Sequence, residues 1–430
     1  MTTALLAITN KARTHPRHRF QNLSSLLDER LMYESWGQLN KTAAPGIDKI
    51  NANKYAVKLS ENLSSLVTKL KTQTYRSASI KRLYIPKSNG KERPLGLPTI
   101  EDKVAQQSVS QILQSIWEAD FLPNSYAYRP NKSAHGAVHS LCMNLQFKGY
   151  GYIVEADIKG FFNKLNHQWL MRMLTQRIDD KRLLGLIKQW LKAKVIEPDG
   201  KVVKPIEGTP QGGVISPVLA NIYLHYVLDI WFEKMVKPKL DGKAMLIRYA
   251  DDFVVAFQLT KDANNFYKAL PERLAKFGLE IAPQKTNLIR FSRFQPSRQR
   301  SFTFLGFDFY WSLDRNKQPR LRRRTARKKQ RESMKMFTHW IKFNRSLPVG
   351  EFLKTLKRKL QGFENYFGLP DNSSSLSGMY THVIETVYKW LNRRSQRRSY
   401  NWKGLNDVLH WFKIKPMRVR RRDHVIVDWY

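Results

Sequence analysis

Two adjacent acids, Asp251 and Asp252, sit between Leu246–Ile247–Arg248–Tyr249 and Phe253–Val254–Val255–Ala256–Phe257. Both flanks are rich in strand-forming residues, so the acids fall at a hairpin tip. Asp is a good turn former, and on that ground alone a turn is favoured over a metal site by roughly two to one. A third acid changes the balance. Asp157 ends another apolar strand, Tyr152–Ile153–Val154–Glu155–Ala156–Asp157–Ile158. Carboxylates from separate strands, converging on ions about 3.5–4 Å apart, are what two-metal phosphoryl transfer requires. Hard oxygen ligands suit Mg²⁺, with Mn²⁺ as a substitute; Mg²⁺ takes few carboxylates and completes its shell with phosphate and water. On this reading one ion activates a 3′-hydroxyl and the other holds a triphosphate and its leaving pyrophosphate. Asp157 and Asp251 are then direct ligands, and Asp252 a ligand or a close neighbour. Glu155, two residues before Asp157, shares its strand face and is a weaker candidate.

These acids need a scaffold. Leucines at helical spacing predict helices over Gln21–Leu39 and Asn51–Leu70, separated by a turn at Ala44–Asp48. Ile80–Pro86 and Arg93–Pro98 flank Lys87–Lys91 as a hairpin. Thr99, three residues before Asp102, caps a helix running to about Trp117. Helices are expected within His167–Leu191, a loop at Gly208–Gly213, and further helices over Ser216–Trp231 and Ala263–Lys276. This order predicts an α+β domain with helices against an antiparallel sheet. Beyond Phe307 the composition shifts. Asp314–Lys329 holds nine basic residues and one acid. Helical patterns follow at Met334–Ile341, Val349–Phe363 and Ser377–Leu391, with Asn372–Ser377 as a loop.

The chain has 430 residues and a formal charge of +40. Self-repulsion of that size calls for a polyanionic partner, which releases counterions as Lys and Arg neutralise its phosphates. Charge alone does not separate DNA from RNA. Cys142 is the one cysteine, which excludes an intrachain disulfide and a cysteine-rich metal knuckle. It lies in the apolar stretch Ala137–Leu145 and is expected to be a small buried hydrophobe. No stretch reads as a secretory signal or reaches transmembrane length, so a cytoplasmic protein with no membrane partner is expected.

Tyr249–Ala250–Asp251–Asp252 resembles the Tyr-x-Asp-Asp motif of reverse transcriptases. The wider pattern resembles group II intron-encoded reverse transcriptase/maturases. Arg93–Pro94–Leu95–Gly96–Leu97–Pro98 is similar to the family's fingers motif, and Tyr128–Arg129–Pro130–Asn131–Lys132–Ser133 with His135 to the next. Ala156–Phe162 resembles the first catalytic motif, and Gly208–Pro217 the nucleotide-site loop. Leu279–Glu280–Ile281 through Lys285–Thr286 resembles a later motif, and Phe304–Leu305–Gly306–Phe307 the primer grip.

The resemblance implies a right-hand polymerase fold. Residues 1–80 would be an N-terminal helical extension and the start of the fingers, and 81–310 fingers and palm. Residues 311–330 would be a basic boundary segment, 331–415 an α-helical thumb/maturase domain, and 416–430 a basic tail. It also implies roles. Phe162 closes on the 2′ position of the incoming dNTP, while Phe161 fills the core. Gln211 lies under that nucleotide, with Gly212 and Gly213 allowing close approach. Lys81, Arg93 and Lys285 supply positive charge to the triphosphate, whereas Lys87 and Lys91 are solvated. Arg129, Phe304, Leu305 and Gly306 meet template or primer. Arg393, Arg394, Arg397 and Arg398 form a basic patch near helical spacing that meets RNA, beside Tyr400, Trp402 and Trp411. Trp390 belongs to the core. Arg322–Arg324 and Arg420–Arg422 touch phosphates or lie in flexible tails.

The implied activity is RNA-directed DNA synthesis on a primed RNA template. Structured host intron RNA and target DNA are further partners, in a prokaryotic ribonucleoprotein particle that splices and moves the intron. With Cys142 alone and His424 isolated, an intrinsic endonuclease domain is not expected. Three other readings remain open: a splicing maturase without polymerase activity, a free-standing domesticated or defence-associated reverse transcriptase, and an RNA-templated RNA polymerase. The intact aspartates oppose the first, the maturase-like C-terminus the second, and Phe162 the third.

Overall fold

Asp28, Asn51, Thr99, Asn166 and Asp180 each stand immediately before a helix, and each side chain accepts a backbone N–H of its first turn. Such caps satisfy donors that the helix itself leaves unpaired. They also set where the helices break. Gln21–Leu39 is a short 3₁₀ turn, Leu23–Leu26, and a helix, Glu29–Gln38, because Asp28 turns back to bond Leu31 N–H at 2.8 Å. Asn51–Leu70 divides into Ala52–Ala56, capped by Asn51, and Leu59–Lys71, whose preceding Lys58 makes no side-chain cap bond.

The computed structural model describes residues 3–86, 90, 92–297, 299–397 and 399–419. Lys87 and Lys91 of the fingers-like hairpin, Arg398, Arg420–Arg422 and His424 lie outside them. The architecture is mixed α/β. Its strands are β1 (Ile80–Pro86), β2 (Glu92–Leu97), β3 (Tyr152–Asp157), β4 (Val195–Ile196), β5 (Val202–Val203), β6 (Ala244–Tyr249), β7 (Asp252–Phe257), β8 (Asn287–Arg290), β9 (Ser301–Phe304), β10 (Phe307–Leu313) and β11 (Pro319–Thr325). The chain divides into two units. The first holds Met1–Ala137 and Tyr152–Leu288, the second Val138–Gly151 and Ile289–Tyr430.

In the first unit, β1 and β2 form the expected hairpin, extended by β4 and β5 in the order β2-β1-β4-β5. A second sheet has the order β6-β7-β3-β8. Its central strands, β7 and β3, are antiparallel; β7 is almost wholly buried, which explains its near-continuous apolar sequence, and β3 buries Ile153, Val154 and Ala156. The helix Ile100–Trp117 runs through the core, with Val104, Val109, Ile112, Leu113 and Ile116 all inaccessible. Each such side chain stabilises the fold by about 1.5–3 kcal/mol. Several of its buried polar groups are paired: Ser108 and Gln111 reach Ser35, and Gln106 accepts from Val214 N–H at 3.1 Å. The helix expected over Ser216–Trp231 starts as Ser216–Leu224 and widens into π-turns at His225–Asp229 and Phe232–Val236.

In the second unit, β9, β10 and β11 form an antiparallel sheet in the order β11-β10-β9. The basic stretch read as a boundary segment is therefore largely strand β11 and the start of the helix Arg327–Asn344. Its arginines conceal a period of two: Leu321, Arg323 and Thr325 point inward. Arg323 is accommodated by the Pro370 carbonyl at 3.1 Å and the Cys142 sulfur at 3.0 Å. Cys142 is thus a partner of an arginine, and burial raises its thiol pKa. The segment expected as a loop, Asn372–Ser377, begins the helix Ser373–Leu391. Asn372 is fully buried and bonds Thr325 through its N–H and hydroxyl.

Candidate active site

The β3–β7 register places Asp157 directly opposite Asp252, and β6–β7 pairing places Tyr249 opposite Asp252. Residues opposite one another share a sheet face. Ala250 and Asp251 then form a two-residue connection, with Ala250 in the left-handed region at φ +57°. A positive φ at such a connection matches the twist of the flanking strands. Glu155 lies two residues back along β3, opposite Val254, and is half-buried.

Burial pushes the Asp251 carboxyl above its ordinary pKa, and the charge of Asp157 pushes it further; Lys285 and Arg93 pull it back. Lys285 donates from Nζ to Asp157 Oδ2 at 2.5 Å. Its own pKa is raised, first by that bond, with Asp252 and Asp251 adding to the effect. The three acids, Lys285 and Arg93 therefore share one electrostatic neighbourhood. Among the described residues no group of three or more His, Cys, Asp or Glu side chains is arranged to hold a metal ion.

The Gly-rich loop is built against β2. Gly96 N–H donates to the Gln211 carbonyl at 2.6 Å. A Cβ on Gly212, at φ +108°, would lie 2.8 Å from the Gly96 carbonyl oxygen. Thr209 N–H donates to the Phe162 carbonyl at 2.7 Å, so this loop and the turn carrying Phe162 are tied together. Phe161 is buried against Tyr223, while Phe162 is half-buried. Lys81 is half-buried in β1 opposite Leu97, and Arg93 is exposed in β2 opposite Ile85.

Other residues named from the sequence are placed differently. Arg129 turns inward. It donates to both Glu118 oxygens and to the carbonyls of Leu122 and Ser125, which leaves it holding its own loop. In the second unit, Phe304 is fully buried, and only Leu305 and Gly306 of its turn are partly open. Arg393, Arg394 and Arg397 lie beyond the end of the helix at Leu391, so they do not share a helical face. Arg394 donates to the Leu347 carbonyl at 2.8 Å. Trp390 is half-buried rather than core, with Lys342, Arg345 and Arg393 within 5.2–5.8 Å of its ring centre.

Sequence reasoning gave Arg248 no role. It is wholly buried with Asp229, joined by Nη2–Oδ2 at 2.5 Å and Nε–Oδ1 at 2.7 Å. Its Nη1 reaches Asn221 Oδ1 and the Ala250 carbonyl, each at 3.2 Å. The available signal was an arginine inside an otherwise apolar strand.

A model of the family "reverse transcriptase (RNA-dependent DNA polymerase)" matches residues 85–309. The chain belongs to the reverse transcriptase family. Protein YkfC of Escherichia coli (strain K12) is 32% identical over 282 residues, covering 58% of this chain and 74% of YkfC. Group II intron-encoded protein LtrA of Lactococcus lactis subsp. cremoris is 31% identical over 306 residues, covering 58% of this chain and 49% of LtrA. An uncharacterized 91 kDa protein in the cob intron of Schizosaccharomyces pombe is 29% identical over 284 residues, covering 53% of this chain and 34% of that protein. This reverse transcriptase-like chain is thus related to LtrA-type proteins, while spanning about half of LtrA itself. No helix among its described residues is long and apolar enough to cross a membrane.

Proposed function

We propose that this reverse transcriptase-family chain is an RNA-directed DNA polymerase that adds dNTPs to a primer 3′-hydroxyl, and that it binds a group II intron RNA to assist splicing and mobility. The observation that carries the reading is the register: Asp157 faces Asp252 across paired strands, with Asp251 in the adjoining turn. The donor set fits a hard dication, because it offers carboxylate oxygens alone. Burial, and after it the charge of Asp157, raises the Asp251 pKa, while Lys285 and Arg93 lower it. Asp157, Asp251 and Asp252 would hold two Mg²⁺, which supply Lewis-acid stabilisation of the transferring phosphoryl group.

The chain's own residues orient the substrate. Arg93, Lys81 and Lys285 offer positive charge to the triphosphate. The half-buried ring of Phe162 excludes a 2′-hydroxyl and selects dNTPs. The Gln211 loop, held to β2 by Gly96, forms the floor under the incoming nucleotide. The formal charge of +40 supports a long phosphate partner, and the relationship to LtrA favours intron RNA. Residues 81–310 would act as fingers and palm and 331–415 as thumb.

The test is primer extension on an RNA template with dNTPs and Mg²⁺, run beside Asp251→Ala. We expect extension to fall to background while RNA affinity stays near wild type. Extension that survives the substitution sinks the assignment. Incubating precursor RNA with and without protein at low Mg²⁺ tests splicing; an unchanged rate would remove that part of the proposal.

A further inference from the structure

Arg248 and Asp229 are each 0% exposed. Taking both charges out of water costs several kcal/mol apiece, and well-packed apolar residues often stabilise such a site equally well. Stability is therefore a weak reason for the pair. What an apolar pair cannot supply is direction. The guanidinium is a rigid planar fork. Two of its nitrogens are fixed by Asp229, so the third is aimed. It points at the carbonyl of Ala250, the residue whose left-handed backbone turns the chain into Asp251.

Two further connections converge on this arginine. Asn221 accepts from Nη1 and donates from Nδ2 to the Ala127 carbonyl at 2.7 Å. The Arg248 main chain pairs with Asn124 and Tyr126 at 2.9 Å each. The segment Asn124–Ala127 is thereby locked to the same turn. Asp229 closes a π-turn, a helical irregularity frequent at functional sites.

We propose that Arg248, Asp229 and Asn221 form a positioning cluster that fixes the Ala250 carbonyl and, through it, the direction in which Asp251 presents its carboxylate. This rests on the polymerase reading of Asp251. Arg248 is a positioning residue and touches no substrate. Lys at this place keeps the charge but loses the fork, so the aim at Ala250 is lost first.

The experiment uses the full chain with Arg248→Lys. The kcat for dNTP addition should fall about a hundredfold, the cost of a misplacement near 1 Å. The KM for dNTP and the affinity for primer–template should hold. Amide hydrogen exchange should rise at Tyr249–Phe253 and stay unchanged in the helix Ile100–Trp117. Mn²⁺ binding to the free protein should weaken by about tenfold, as when a ligand's orienting partner is removed. A folded Arg248→Lys protein with wild-type exchange at the turn and wild-type Mn²⁺ affinity overturns the proposal. If that variant does not fold, Asn221→Ala, which leaves the ion pair intact, decides by the same two measurements. A wild-type protein that fails to extend primers refutes the polymerase reading, while exchange and Mn²⁺ binding still decide the cluster.

Discussion

Two hairpin turns, one in each unit, invite comparison. The β6–β7 turn carries Ala250 at φ +57° and then Asp251; the β9–β10 turn carries Leu305 at φ +51° and Gly306 at φ +79°. Both place a residue with a side chain in the left-handed region, at about 1–2 kcal/mol each. In both a side-chain donor bonds the carbonyl of that residue, but what anchors the donor differs. The first is backed by a buried arginine–aspartate fork. The second is backed by rings: the Tyr366 hydroxyl donates to the Leu305 carbonyl at 2.9 Å, and Phe307 packs on Tyr366 and Phe367 at 5.9 and 5.3 Å. A turn that presents a carboxylate must fix an angle, which directional hydrogen bonds do. The β9–β10 turn is held mainly by aromatic packing, with the Tyr366 hydroxyl as its one named hydrogen-bond donor.

The comparison can be broken most decisively at Asp251. Asp251→Ala should abolish extension yet leave the midpoint of thermal unfolding unchanged or higher, since it removes a half-buried acid of raised pKa. Loss of folding instead would make Asp251 part of the turn's support. Arg248→Ala leaves Asp229 buried and unpaired, and should cost about 3–5 kcal/mol in urea unfolding. A loss below about 1 kcal/mol would place the turn's strength elsewhere.

His225 tests the same support through pH. Burial holds its pKa down to about 4, from an ordinary 6.5. The unfolded chain takes up a proton below 6.5 while the folded chain does not, so stability is full above 6.5 and falls as pH drops towards 4. At about 1.4 kcal/mol per pH unit, the loss approaches roughly 3 kcal/mol. His225→Phe should flatten that slope, and an unchanged slope would assign it to other groups. The second turn should respond least. Tyr366→Phe removes one hydrogen bond, and Gly306→Ala forces a side chain to φ +79° where the nearest atom, Phe367 Cε1, is 3.6 Å away. Each should cost about 1 kcal/mol. A loss of 3 kcal/mol from either would show that the second turn is as tightly specified as the first.

Much of the scaffold was legible. Thr99 capped its helix as expected, and the β1–β2 and β6–β7 hairpins formed where turn residues interrupted apolar runs. Legibility failed where charge obscured a pattern. β11 alternates inward and outward, but arginine occupies both faces, and only Cys142 and Pro370 reveal why Arg323 can be buried. It also failed where a residue faced the other way. Arg129 lay in a recognisable motif, yet its donors are spent on Glu118 and nearby carbonyls. The arginines from 393 onward follow a helix that ends at Leu391.

By itself the sequence determined that Asp157 and Asp251–Asp252 end apolar strands, and that the chain carries an excess of positive charge. Local composition sets both, because strand propensity and turn chemistry act over a few residues. The tertiary structure alone decided that Asp157 faces Asp252, that Lys285 bonds Asp157, and that Arg248 reaches past Asp229 to hold Ala250. Those depend on register and on burial between residues far apart in the chain. Arg248 stands out in the sequence as a charge inside an apolar strand, but nothing there names Asp229, nineteen residues earlier, as its partner.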